Sequence, residues 1–186
     1  MEKRIMSSEK REKKIPVKVT ESRWYAAYTN PRTEKKVYQR LVDAGIETFL
    51  PLQKSKRKWS DRIKWVEEPL IKSYIFVKVK PIEFPIVFRT PGIVRFIAFE
   101  GRPVSIPESQ INNLRLLVDS DAEIDVTSEK FEKGDNIEVI AGSLAGLRGE
   151  LIKTGTKKRV VVRIDSLEHN ILVTIPHTFL AKLPKE

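Results

Sequence analysis

The chain contains no cysteine, which excludes disulfides, thiolate metal sites and cysteine nucleophiles. Its two histidines, His169 and His177, lie in a strand-rich stretch without thiol partners, a poor basis for a zinc site. No apolar run approaches the ~20 residues of a membrane span. The basic N-terminus has no apolar core, so no secretory signal is expected, and by elimination the location is cytoplasmic. There is no glycine-rich phosphate loop, because the glycines of the rear half fall between strands rather than before a helix. Asp165, Ser166 and His169 are too close in sequence to build a nucleophile–base–carboxylate triad. Glu67, Glu68 and the acids at 119–121 read as solvated charge. The chemistry expected is binding, with no enzymatic activity, no cofactor and no metal.

The 186 residues carry a net charge of +10, unevenly spread. Residues 1–20 contribute +4, residues 21–119 contribute +7, and residues 120–186 contribute −1. A basic front facing nucleic acid and a near-neutral rear with another task fit this asymmetry. Residues 1–22 lack a periodic apolar face and read as a disordered basic tail.

The stretch 68–80, EPLIKSYIFVKVK, is rich in β-branched and aromatic residues and reads as a strand. Alternation puts Ile71, Ser73, Ile75, Val77 and Val79 on one face, with Leu70, Lys72, Tyr74, Phe76 and Lys78 on the other. Both faces are apolar at the centre. Such a strand is either covered on both sides or keeps one face for a partner.

Before it, residues 23–29 form a strand. Asn30-Pro31 opens a helix with Val37, Leu41 and Ala44 as its buried stripe, and Gly45 ends it. Residues 46–53 form a strand that runs into KSKRKWSDRIKW, a hairpin with its tip at Ser60-Asp61. The basic residues there, Lys56, Arg57, Lys58 and Arg62 among them, alternate with Trp59 and Trp65. That pattern suits a nucleic-acid backbone with base stacking, or a Trp pair steadying a twisted ribbon. Arg32, Lys35 and Lys36 on the first helix are either phosphate-facing or a solvated face. After the strand come a short helix over 81–90, a strand over 93–99, and a helix from Pro107 with Ile111, Leu114, Leu117 and Val118 inward. The fold class is α+β: an antiparallel sheet with packed helices over residues 23–119. An acidic linker over 120–131 leads to four short strands with glycine turns over 132–186, a small all-β barrel.

Three stretches of the front half, WYAAYTNPRTEKKVYQRLVDAGIETFLP, EPLIKSYIFV and TPGIVRFIAFEGRPVSIP, occur in order. They are followed by KGDNIEVIAGSLAGLRGELI, which looks like a KOW motif. Together they resemble the NusG/Spt5 family of transcription elongation factors. WSDRIKWVEEPL and RPVSIPESQINNL are similar to the specialised RfaH or UpxY type of antiterminator, which serves long operons such as those for surface polysaccharide. General NusG-type elongation, or RNA and ribosome binding through the KOW domain, are the alternatives.

The resemblance implies an N-terminal domain that docks an apolar patch on the β′ clamp helices of RNA polymerase, bridges the cleft over DNA, and suppresses pausing and termination. The implied patch comprises Tyr28, Ile71, Tyr74, Phe96 and Phe99. Contacts to the non-template DNA strand fall to Arg32, Lys35, Lys36, the basic hairpin and Arg89. For the barrel it implies Rho or a small-subunit ribosomal protein, bound through a loop with Leu144 and Leu147. Those two leucines either dock a partner or plug the barrel. The chain departs from the family pattern at Ile71-Lys72-Ser73, where many members have Phe-Pro-Gly or Phe-Pro-Asn. It departs again around Glu83-Phe84-Pro85, where RfaH has a His-Thr-Thr segment.

Overall fold

The structure is a computed structural model, and it describes residues 21–58, 63–120, 122–127, 134–154, 157–164, 167 and 169–184. The N-terminal tail and the hairpin tip, Trp59 and Arg62 included, lie outside them.

The first unit is organised on β1 (Arg23–Thr29) and β5 (Tyr74–Val79), paired antiparallel from Arg23↔Val79 to Tyr28↔Tyr74. β2 (Glu47–Phe49) flanks β5, β6 (Ile93–Phe96) flanks β1, and β9 (Ser105–Ile106) also pairs with β1, giving a five-stranded antiparallel sheet. One face packs on α1 (Glu34–Asp43) and α2 (Phe84–Arg89), where Tyr25, Ala27, Ile75, Val77 and Val79 meet Val37, Leu41 and Val87. The other face, Trp24, Ala26 and Phe76, receives Ile111, Leu114 and Leu117 of α3 (Glu108–Val118). The two-sided apolarity of the central strand is thus a two-layer core. Burying a side chain of this size contributes about 1.5–3 kcal/mol.

Local departures from the sequence pattern have identifiable causes. α1 starts at Glu34 rather than at Pro31 because Arg32 adopts a left-handed φ of 64° that no helix can continue. Within α1, Val37 and Leu41 are buried as expected, while Ala44 is the exposed C-cap, followed by Gly45 at φ 76°. The chain leaves the sheet at Leu50-Pro51. β3 (Leu52–Lys58) and β4 (Ile63–Pro69) then form a separate two-stranded ribbon, from Leu52↔Pro69 to Lys58↔Ile63. The expected long strand is therefore two strands, β4 and β5, divided at Ser73, whose φ is 63°. Ile71 consequently leaves the Ile75–Val77–Val79 face and joins the core around Trp24 and Phe76. The strand expected over 93–99 also breaks, at Ile97, whose N–H donates to the Ala26 carbonyl at 2.8 Å. A two-residue hairpin follows, β7 (Ala98–Phe99) with β8 (Arg102–Pro103).

The rear unit is a six-stranded antiparallel sheet in the order β10-β14-β13-β12-β11-β15. These strands are β10 (Ile124–Thr127), β11 (Asp135–Val139), β12 (Arg148–Thr154), β13 (Lys157–Ile164), β14 (His169–Val173) and β15 (Leu180–Lys182). β10 comes from the stretch expected to be linker and pairs with β14 along the edge of the rear sheet. A Cβ at Gly134 would collide with the Leu151 carbonyl oxygen, which fixes glycine where β11 meets β12.

Candidate functional site

Alternation along β1 and β5 places Tyr28 and Tyr74 side by side on the α3-bearing face, beyond the part that α3 covers. Their rings meet edge to face, 5.3 Å apart at 77°. β6 adds Arg95, opposite Tyr28 in register, with its guanidinium 5.9 Å from the Tyr28 ring. A row Arg95–Tyr28–Tyr74 therefore crosses three strands. At the other end of the same face, α3 is tied down by the Trp24 indole N–H, which donates to Glu108 Oε2 at 2.9 Å. Lys78 Nζ reaches the same carboxylate oxygen at 3.3 Å, and Arg115 stacks 5.5 Å from both Trp24 and Phe49.

Tyr74 is aimed by the turn before it. The Ser73 N–H donates to Glu34 Oε1 at 2.9 Å in a buried bond, and the Ser73 carbonyl accepts from the Thr29 N–H at 2.9 Å. A carboxylate from the first turn of α1 thus holds a serine in the left-handed region. The bond spans 39 residues of sequence and has no local signature.

The rear unit covers this end of the face. His169 packs edge to face on Tyr74, 5.6 Å between centroids. The Asn113 side-chain amide pairs with the Arg148 backbone, Nδ2 donating to the carbonyl at 3.0 Å and Oδ1 accepting from the N–H at 3.4 Å. Apolar residues of the two units form one contiguous cluster.

The five residues implied as a docking patch do not form one surface. Tyr28 and Tyr74 are adjacent and half-buried. Ile71 is buried in the core. Phe96 lies opposite Ala27, on the other face of the sheet, 3% exposed and packed on Tyr25, Phe84 and Phe88. The regular antiparallel step from Ala27↔Phe96 puts Arg95, not Phe96, beside Tyr28, and the register shifts only beyond it, where Thr29 pairs with Ile93. Phe99 stands 71% exposed on the small hairpin. Arg95 and His169 are the members of this site that the sequence reading missed. Strict alternation back from Phe96 indicates the face of Arg95, whereas no sequence signal brings in His169.

The basic residues group more closely. Arg32, Lys35 and Lys36 line an open cleft of about 630 Å³ with Lys72, facing Glu67 and Glu68 across it. Lys35 Nζ lies 3.9 Å from Glu67 Oε2. The ribbon continues from this cleft, with Lys56 opposite Trp65, Arg57 opposite Lys64 and Lys58 opposite Ile63. Trp65 is 61% exposed. Arg89 is exposed at the end of α2. In the rear unit Leu144 and Leu147 point inward and are 5% and 0% exposed, so they plug the sheet and offer a partner no surface in this arrangement. Among the described residues no group of three His, Cys, Asp or Glu is placed to hold a metal ion. Nor is any helix among them long and apolar enough to cross a membrane.

Comparison with known proteins agrees with this architecture. The transcription termination/antitermination protein NusG of Rickettsia prowazekii is 25% identical over 138 residues, covering 68% of this chain and 71% of its own. NusG of Chlamydia trachomatis is 25% identical over 167 residues, covering 78% and 91% respectively. A solved structure described as domain interaction in Thermotoga maritima NusG aligns over 88% of this chain and 98% of its own, with a TM-score of 0.51 and 18% identity, and so shares the fold. The family model for NusG, described as transcription termination factor nusG, matches residues 22–115, more than half the chain and the whole sheet that carries Tyr28, Tyr74 and Arg95. The chain is a member of the NusG family.

Proposed function

We propose that this protein is a transcription elongation and antitermination factor whose Tyr28–Tyr74 face docks on the β′ clamp helices of RNA polymerase. The observation that carries this reading is the aromatic pair itself. It sits on a sheet face that the front unit's own helices leave open, rimmed by Arg95, and apolar anchors rimmed by charge typify docking sites. Phe99, exposed on the small hairpin, is a second aromatic anchor of the front unit, apart from the pair. Docked there, the front unit bridges the cleft over DNA, holds the clamp closed and disfavours pausing.

The cleft of Arg32, Lys35, Lys36 and Lys72, with the basic ribbon, then lies toward the non-template strand, where exposed cations neutralise phosphates. The rear unit occupies the Tyr74 end of the face, so it must move aside before polymerase binds. Its other partner is Rho or a small-subunit ribosomal protein, met through the rim of the 141–147 turn and the 60%-exposed Ile140. All of this takes place in the cytoplasm.

Tyr74→Ala combined with Phe99→Ala should weaken binding to core polymerase at least about tenfold while the melting curve keeps its cooperativity. Normal binding by the folded double variant would place the docking surface elsewhere. Within this reading the stretches WSDRIKWVEEPL and RPVSIPESQINNL favour service to a specific long operon, such as one for surface polysaccharide. The names of the curated relatives favour a general NusG role. Deleting the gene decides between them: a specialised factor changes readthrough in one operon, a general factor across the genome.

A further inference from the structure

The rear sheet opens with a strand drawn from an acidic stretch of the chain. β10 pairs antiparallel with β14: Ile124 opposite Val173, Asp125 opposite Leu172, Val126 opposite Ile171 and Thr127 opposite Asn170. The two strands are unequal. Residues 170–173 of β14 are all buried, whereas β10 is four residues long, with Asp125 exposed and Ile124, Val126 and Thr127 only half-buried. A strand reading Asn-Ile-Leu-Val with an open edge is a template for pairing with another chain. β10 is a light cover over it.

The edge also discriminates by side chain. Ile124 and Val126 face the main apolar cluster alongside Ile171 and Val173. Between them Asp125 points to the opposite face, where it accepts a hydrogen bond of 2.6 Å from Arg159 Nη1 on β13. The Arg159 side chain is only 16% exposed, so it is a shielded cation rather than a solvated one. Beside it Leu172, Val161 and Ile152 form a small separate cluster on that outer face. Whatever lies along β14 therefore meets a backbone ladder, two apolar seats and one guanidinium placed for the carboxylate between them.

We propose that the β14 edge is a strand-docking site, filled in this structure by the chain's own Ile124–Thr127. It is open to an extended segment of a partner protein with the same alternation, apolar–carboxylate–apolar. Recognition is strand addition, with affinity from the main-chain ladder and specificity from alternate side chains. The internal segment acts at an effective concentration on the order of millimolar, so the incoming strand must complement the edge better than β10 does. The proposal rests on the rear sheet alone and is independent of the polymerase reading.

The probe is a fluorescein-labelled peptide of residues 119–130, DSDAEIDVTSEK, titrated into the full chain and followed by anisotropy. Wild type, with β10 seated, should bind it weakly. The full-length Ile124→Asp, Val126→Asp variant, with β10 unseated, should bind at least about tenfold more tightly, because the competing strand is gone. Adding Arg159→Ala, or replacing the central aspartate of the peptide by lysine, should reverse most of that gain. No binding by a variant whose circular dichroism shows an intact fold overturns the proposal. If that variant does not fold, hydrogen exchange of wild type decides. Amides of β14 that face β10 should exchange about tenfold faster than those facing β13, and equal protection would make β10 an integral strand and overturn the proposal. Concentration-dependent dimers that the double substitution abolishes would assign the edge to a second copy of this chain, and would overturn the assignment to a foreign strand.

Discussion

If the rear unit competes with polymerase for the Tyr74 end of the sheet, loosening it should strengthen polymerase binding. Asn113 is the place to loosen it. Its amide makes two hydrogen bonds to the Arg148 backbone, one of 3.0 Å and one of 3.4 Å, both exposed to solvent. Water replaces them readily, so Asn113→Ala should weaken the closed arrangement by about 1 kcal/mol for the pair. Apparent affinity scales with the fraction of molecules in the competent state, and 1 kcal/mol raises a small open fraction roughly fivefold. Removing the ring on Tyr74 as well, with His169→Ala, subtracts an edge contact of about 0.5–1.5 kcal/mol and carries the gain to roughly thirtyfold. The assay is a binding titration of full-length chain against core polymerase, with amide chemical shifts of Arg148 reporting the domain contact. Both variants leave the front core intact, so a loss of affinity is not expected. Unchanged affinity, with the Arg148 shifts showing release, would refute the competition.

The turn that aims Tyr74 should be costly to disturb. Glu34→Ala strands a buried N–H at Ser73 and should destabilise the chain by about 2 kcal/mol in urea unfolding. Ser73→Gly relieves a left-handed serine and should stabilise by about 0.5–1 kcal/mol in the same titration. Phe96→Ala, which opens a cavity beneath Tyr25, Phe84 and Phe88, should cost about 3–5 kcal/mol, whereas Phe99→Ala on the surface should stay within about 0.5 kcal/mol. Gly134→Ala, with its methyl against the Leu151 carbonyl, should lower the melting temperature of the rear unit by at least about 5 °C.

What the sequence made legible follows local physics. The face of Ile75, Val77 and Val79, the stripes of Val37 and Leu41 and of Ile111, Leu114 and Leu117, and the change from mixed to all-β character are periodic signals with one outcome. The features it hid are set by distant partners. The long strand breaks because a carboxylate at Glu34 holds Ser73 in a conformation that serine rarely adopts by itself. Phe96 turns its ring to the side covered by α1 and α2 because β6 pairs it with Ala27 of β1. Strand β10 exists because β14 has an edge to cover, and nothing in the polarity of residues 120–131 announces that edge. His169 reaches Tyr74 only through the docking of two units, which no window of sequence contains.

The pairing of β10 also fixes how far the two units can travel. With β10 in place only residues 119–123 connect α3 to the rear sheet, a leash of at most about 20 Å when fully extended. A compact unit of this size is itself some 25–30 Å across. The rear unit is therefore able to roll off the Tyr74 face about its hinge, but it cannot drift clear of the front unit. Anything bound to the one is held as a neighbour of anything bound to the other. If β10 unzips, the connection grows to residues 119–134 and its reach to about 55 Å. A single short strand would then set whether the molecule works as one body or as two on a line.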